Sequence, residues 1–129
     1  MSHPEAETRG IKVQVESQLL PERSNPKEGR WFFVYTVRIA NEGKTTAQLV
    51  SRHWIITDAH GHVEEVEGPG VVGEQPVLGP GEAFEYTSAC PLGTASGTMH
   101  GTYQMVTEAG EKFDATIPAF FLGTPETVN

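Results

Sequence analysis

Between His53 and Glu111 the chain carries neither lysine nor arginine. Residues 1–52 hold eight basic groups against six acids, and residues 53–129 hold Lys112 against eleven acids, so the net charge of −8 combines a front of +2 with a remainder of −10. Nucleic-acid binding draws its affinity from cations that displace counterions along the phosphate backbone, and this distribution argues against it. Cysteine is as scarce: Cys90 stands alone, which excludes an internal disulfide and fits a reducing compartment. No apolar run approaches the ~20 residues that span a bilayer. The start, Met1-Ser2-His3-Pro4-Glu5-Ala6-Glu7, lacks the basic and apolar regions of a secretory leader. A cytoplasmic protein without membrane association is expected.

Helical amphipathic periodicity is missing as well, and what stands in its place is alternation with period two. Ile11, Val13, Val15 and Leu19 share one face of a strand, and Trp31, Phe33, Tyr35, Val37 and Ile39 one face of a longer strand ending at Asn41-Glu42-Gly43. From Thr46 to Thr57 apolar residues occupy both phases, which a bulge near Ser51 or burial of both faces would explain. Asp58-Ala59-His60-Gly61 reads as a tight hairpin turn followed by a short strand, His62 to Glu67. Gly68 to Gly81, with five glycines and three prolines, reads as a shaped loop. Phe84 and Tyr86 mark the next strand, Met99, Tyr103 and Met105 the one after, and Phe113, Ala115, Ile117, Ala119 and Phe121 a last one, in which Pro118 suits an edge or a bulge. About seven strands at this spacing predict an all-β antiparallel β-sandwich. Trp54 is expected in its core. One domain spans residues 1–129, with an ordered core of about 10–122 and mobile tails at Met1 to Arg9 and Gly123 to Asn129.

Three constellations carry possible chemistry. Gly68, Gly70 and Gly73 match GxGxxG, the pattern that lets backbone amides approach a pyrophosphate, but Pro69, Val71, Val72 and Pro76 favour extended chain over the helix that the phosphate site requires. The flanking Glu64, Glu65, Glu67 and Glu74 would repel an anion, and glycine's conformational freedom is itself sufficient reason for such a loop. Asp58, His60 and His62, with the more distant His53, offer carboxylate and imidazole ligands suited to a divalent metal, in a pattern equally natural for an exposed turn. Cys90 and Ser96 are the possible nucleophiles, with His100 as a base; no orienting third group and no GxSxG elbow accompany them. Phe32 and Phe120 fall out of phase with the core residues beside them and are candidates for an exposed interaction surface.

Arg52-His53-Trp54-Ile55-Ile56-Thr57-Asp58, Gly68-Pro69-Gly70-Val71-Val72-Gly73-Glu74-Gln75-Pro76 and Phe84-Glu85-Tyr86-Thr87-Ser88 resemble the ApaG family, and the resemblance runs from about Ile11 to Leu122. It implies a fibronectin type III-like, immunoglobulin-like sandwich. It also implies a bacterial link to cobalt tolerance and magnesium efflux (the CorD phenotype) and a use as an interaction module in larger eukaryotic proteins. The function expected is therefore that of a non-catalytic protein–protein interaction module without cofactor. The Gly68 to Gly81 loop and adjacent sheet would do the work, with Phe32 and Phe120 as contacts. The alternative is a ligand-binding protein that takes pyrophosphate or nucleotide on Gly68, Gly70 and Gly73, or a divalent metal at Asp58, His60 and His62.

Overall fold

A computed structural model describes residues 3–123. Nine strands follow one another: β1 Glu5–Thr8, β2 Ile11–Leu19, β3 Trp31–Asn41, β4 Ala47–Asp58, β5 Val63–Pro69, β6 Val77–Leu78, β7 Ala83–Leu92, β8 Gly97–Thr107 and β9 Lys112–Leu122. They form two antiparallel sheets, one in the order β1-β2-β3-β7 and the other β5-β4-β8-β9, with the short β6 beside the start of β4. The only helical turns among the described residues are two 3₁₀ turns between β2 and β3, at Pro21–Arg23 and Pro26–Glu28, each opened by a proline that has no N–H to leave unpaired. The sheets face each other and the alternating apolar residues meet between them, as the sequence pattern predicts.

Trp54 lies at the centre of that core, its ring 5.3 Å from Tyr35, 6.3 Å from Tyr103 and 6.0 Å from Phe120. Edge-to-face geometry of this kind is favoured by the ring quadrupoles. The buried phenols of Tyr86 and Tyr103 satisfy each other at 2.5 Å across the two sheets.

Three features of the chain refine the reading from sequence. The N-terminal segment assigned to a mobile tail contains β1, paired with β2 through a two-residue turn at Arg9-Gly10; as an outermost strand it buries little and lacks an apolar alternation. The tail expected at residues 124–129 lies outside the described residues. The two-phase pattern of β4 does reflect a bulge, placed between Leu49 and Ser51, which moves the inward phase from Leu49 to Trp54.

A second bulge, opposite His100, carries Pro118 and overturns the assignment of Phe120 to the surface. Phe120 is 5% exposed and packed against Trp54, while Phe121, expected inside, is 40% exposed. The bulge buries Phe120 and Leu122 in place of Ala119 and Phe121. Exchanging alanine for leucine inside favours this phase by roughly 2 kcal/mol, more than one ladder hydrogen bond contributes, and Pro118 has no N–H to lose.

Candidate functional site

The glycine-rich loop is organised by β4. Residues of β4 and β5 pair so that Arg52 lies opposite Gly68 and His53 opposite Glu67. The Arg52 guanidinium passes over Gly68, where a side-chain carbon would come within 3.1 Å of it. From there Nη1 donates to the Pro69 and Gly70 carbonyls at 2.9 and 3.0 Å. The bulged Val50 contributes its carbonyl, which accepts from the Gly70 N–H at 2.8 Å and from Gln75 Nε2 at 2.9 Å. Bonds from an ionised donor are the stronger kind, so the loop is clamped from both sides rather than left open.

Beyond the clamp, Val71 and Glu74 exchange N–H···O bonds of 2.8 Å each way, closing a two-residue hairpin turn around Val72 and Gly73. Both central residues have positive φ, 43° for Val72 and 81° for Gly73, the geometry of a type I′ turn. Gly70, at φ 59°, is mandatory, because a side-chain carbon there would sit 2.2 Å from the Glu74 carbonyl oxygen. The GxGxxG glycines thus end a strand and shape a hairpin; no helix follows them. The Gly70, Val71 and Glu74 amides are already donated within the protein, which leaves little of a phosphate cradle.

Asp58, His60 and His62 belong to the hairpin turn between β4 and β5. Asp58 Oδ1 accepts the His60 and His62 N–H groups at 2.9 and 3.0 Å, the side-chain-to-backbone closure that makes aspartate a turn residue. Desolvation pushes the Asp58 carboxyl up, but the His62 and His60 amides and both imidazoles outweigh it and hold the group below its ordinary range. Among the described residues no three His, Cys, Asp or Glu side chains are placed together to hold a metal ion. His53 turns to β5 instead, its Nε2 2.8 Å from Glu65 and 3.8 Å from Glu67.

Ser51, Arg52, His53, Glu67, Gln75 and Gln104 line a shallow open groove of about 620 Å³ beside the loop. Cys90 is buried, and burial, aided by Glu64, raises its thiol to about 11. His100 stands on the outer face of the other sheet, so the two do not meet. Phe32 is half-buried beneath Arg23, whose guanidinium lies 4.5 Å from its ring centroid. Among the described residues the large apolar side chains that are exposed are Val50, Val63, Val72, Val77 and Phe121. Three of them, Val50, Val72 and Val77, belong to the loop or to the bulge that holds it. Sequence reading missed Val72, although Val-Gly between two mutually bonded residues is a recognisable if unusual form of the X-Gly hairpin.

A two-sheet β-sandwich whose distinctive region is an arginine-clamped glycine loop defines the class of this protein. Residues 21–107 match the ApaG domain, and the chain belongs to the ApaG family. It is 60% identical over 121 residues to the protein ApaG of Bradyrhizobium sp. strain ORS 278, covering 94% of this chain and 93% of that one. It is 59% identical over 120 residues to that of Methylobacterium sp. strain 4-46, covering 93% and 92%. A crystal structure assigned as the ApaA protein from Bordetella pertussis superposes with a TM-score of 0.87 at 50% identity, covering 97% of this chain and 98% of that chain.

Proposed function

We propose that this chain is a non-catalytic, cytoplasmic protein–protein interaction module whose contact element is the clamped glycine loop, with Val72 at its tip. The observation that carries the reading is the state of Val72: a β-branched residue held at φ 43° with 56% of its surface in water. Such a backbone costs about 1–3 kcal/mol, and a valine with more than half of its surface in water recovers little of it inside the fold. Asparagine or glycine would fill the same turn position without that cost. An apolar group presented at a strained tip on a rigid base is suited to a pocket on another protein, where little loop entropy remains to be lost on binding. Val50 and Val77 extend the apolar character of the region. The cobalt tolerance and magnesium efflux implied by the family resemblance would then operate through a protein partner rather than through bound metal.

The test is photo-crosslinking in cells with p-benzoylphenylalanine placed at residue 74, beside the intact Val72, or, as control, at residue 60, the tip of the other hairpin that borders β5. A discrete protein adduct is expected from residue 74, absent from residue 60 and competed by unlabelled parent protein but not by Val72→Asn. Identical adducts from both positions, or none from residue 74, would overturn the proposal.

A further inference from the structure

A sandwich leaves strand edges that other chains can extend, and natural proteins guard them. Three of the four edges here are guarded. β1 has four residues and, with β2, lies along β9, where Thr8 Oγ1 accepts the Thr116 N–H at 3.1 Å and Ser17 Oγ donates to the Phe121 carbonyl at 2.9 Å. β9 is interrupted by its Pro118 bulge. On β5, the Asp58 N–H bonds to His62 and the Gly70 N–H to Val50, which fixes the phase: Val63, Glu65, Glu67 and Pro69 turn their backbone groups outward. Two carboxylates and a proline therefore blunt that edge.

β7 is different. The Leu20 N–H donates to the Phe32 carbonyl, so even-numbered residues of β3 face β2 and odd-numbered residues face β7. Register then pairs Tyr35 with Ser88 and Val37 with Tyr86, so Glu85, Thr87 and Ala89 direct their N–H and C=O groups away from the sheet. Their side chains are exposed, the pairing from Ala83 to Leu92 has no bulge, and Pro91, whose missing N–H would also point outward, closes one end. Among the described residues no other strand pairs with this edge.

The setting selects the occupant by charge. Residues 63–92, which include β5 and β7, carry six glutamates and no lysine or arginine. Glu85 stands on the free edge itself, and Glu64 shares the phase of Val66, the β5 residue packed against the core, on the side from which it also raises the Cys90 thiol. Of the cations on the flanking strands, Arg52 of β4 is committed to the loop carbonyls, and Arg38 of β3 stands opposite Glu85 on the side away from the free edge, so that an added strand meets Glu85 before Arg38.

We propose that the outer edge of β7 accepts an extended, lysine- or arginine-bearing segment of another protein as an added strand. Backbone bonds to Glu85, Thr87 and Ala89 supply the pairing, and Glu85 with Glu64 favours basic side chains. This site is separate from the glycine loop and does not depend on Val72.

The probe is a short synthetic peptide alternating lysine and valine, with its glutamate–valine counterpart as control, added to the ¹⁵N-labelled full chain. Slowed amide exchange is expected at Glu85, Thr87 and Ala89 with the lysine peptide only. Thr87→Pro removes one outward donor and the hydroxyl bond to Thr36 while leaving the backbone ladder to β3 in place, and should weaken binding about tenfold, the scale of one or two hydrogen bonds; Thr87→Ala, which loses only the Thr36 bond, should bind as the parent does. Glu85→Lys, which leaves the backbone unchanged, should also weaken it. Equal binding of the glutamate peptide, protection confined to Gly68–Gly73, no protection at millimolar peptide, or pairing of β7 with a second copy of the chain would each overturn the proposal.

Discussion

A hairpin turn lies at each end of β5, and the two follow different rules. At Asp58–Gly61 every local requirement is met: the carboxylate closes the turn onto two amides, and glycine occupies the left-handed position at φ 84°. At Val71–Glu74 one requirement is broken, because a valine occupies the position that suits asparagine or glycine. The first turn is fully explained by the fold, so His60 and His62 need no ligand to account for them. The second holds a largely unrecovered strain of the kind that persists only where surrounding structure or an outside contact maintains it.

The largest expected effect sharpens this contrast. Gly70→Ala forces a side-chain carbon against the Glu74 carbonyl, 2.2 Å away, at a positive φ. It should destabilise the protein by about 3 kcal/mol or more and lower the urea midpoint accordingly. Gly61→Ala also carries the cost of positive φ but meets open space, so only about 1–2 kcal/mol is expected. Equal losses in the two variants would mean that the glycine loop relaxes freely and is not the clamped element described above.

Much of this architecture is legible in the sequence where alternation is strong. The phase conflict between Leu49 and Trp54 announces the β4 bulge, because both residues are too large to leave in water. The β9 bulge is harder to see: Phe120 and Phe121 are both aromatic, so alternation alone does not say which is buried, and the decision falls to Leu122 against Ala119. β1 escapes because Glu5–Thr8 pairs by backbone and buries almost nothing. The Arg52–Gly68 contact was accessible in principle. Counting back equally along both strands from the Asp58–His62 closure lands on these two residues, and also sets His53 opposite Glu67. Val72-Gly73 has the form of an X-Gly hairpin, but the positive φ at the valine follows only once the two-residue register that Arg52 and Val50 impose on the loop is known.

An intermediate effect with the opposite sign comes from the second turn. Val72→Asn should raise stability by about 1 kcal/mol, measured as a higher midpoint at unchanged m-value, because the new residue tolerates positive φ and can bond to nearby backbone. Surface substitutions that leave local strain untouched move stability by less than about 0.5 kcal/mol. A gain at residue 72 accompanied by loss of the cellular crosslink competition would separate stability from function at a single position. A loss of stability would show that Val72 is supported by packing within the loop, and the contrast between the two turns would fail.

The smallest effect belongs to the turn that obeys its rules. The Asp58 carboxyl titrates below its ordinary value of 3.8, so its contribution to stability is complete above that pH and disappears as pH falls through the lower folded value. Asp58→Asn keeps an oxygen that accepts both amides but carries no charge. Parent and variant should therefore differ slightly at neutral pH, differ a little more as the neighbouring imidazoles gain charge in mild acid, and converge below about pH 4. The same pair, titrated with Co²⁺ at neutral pH, should show no stabilisation specific to the parent, because among the described residues no set of three ligating side chains gathers beside the carboxylate. A difference that persists unchanged into strong acid would mean that the charge does not act through the His60 and His62 amides. Cobalt-dependent stabilisation lost with the carboxylate would mean that the first turn, like the second, has a purpose outside the fold.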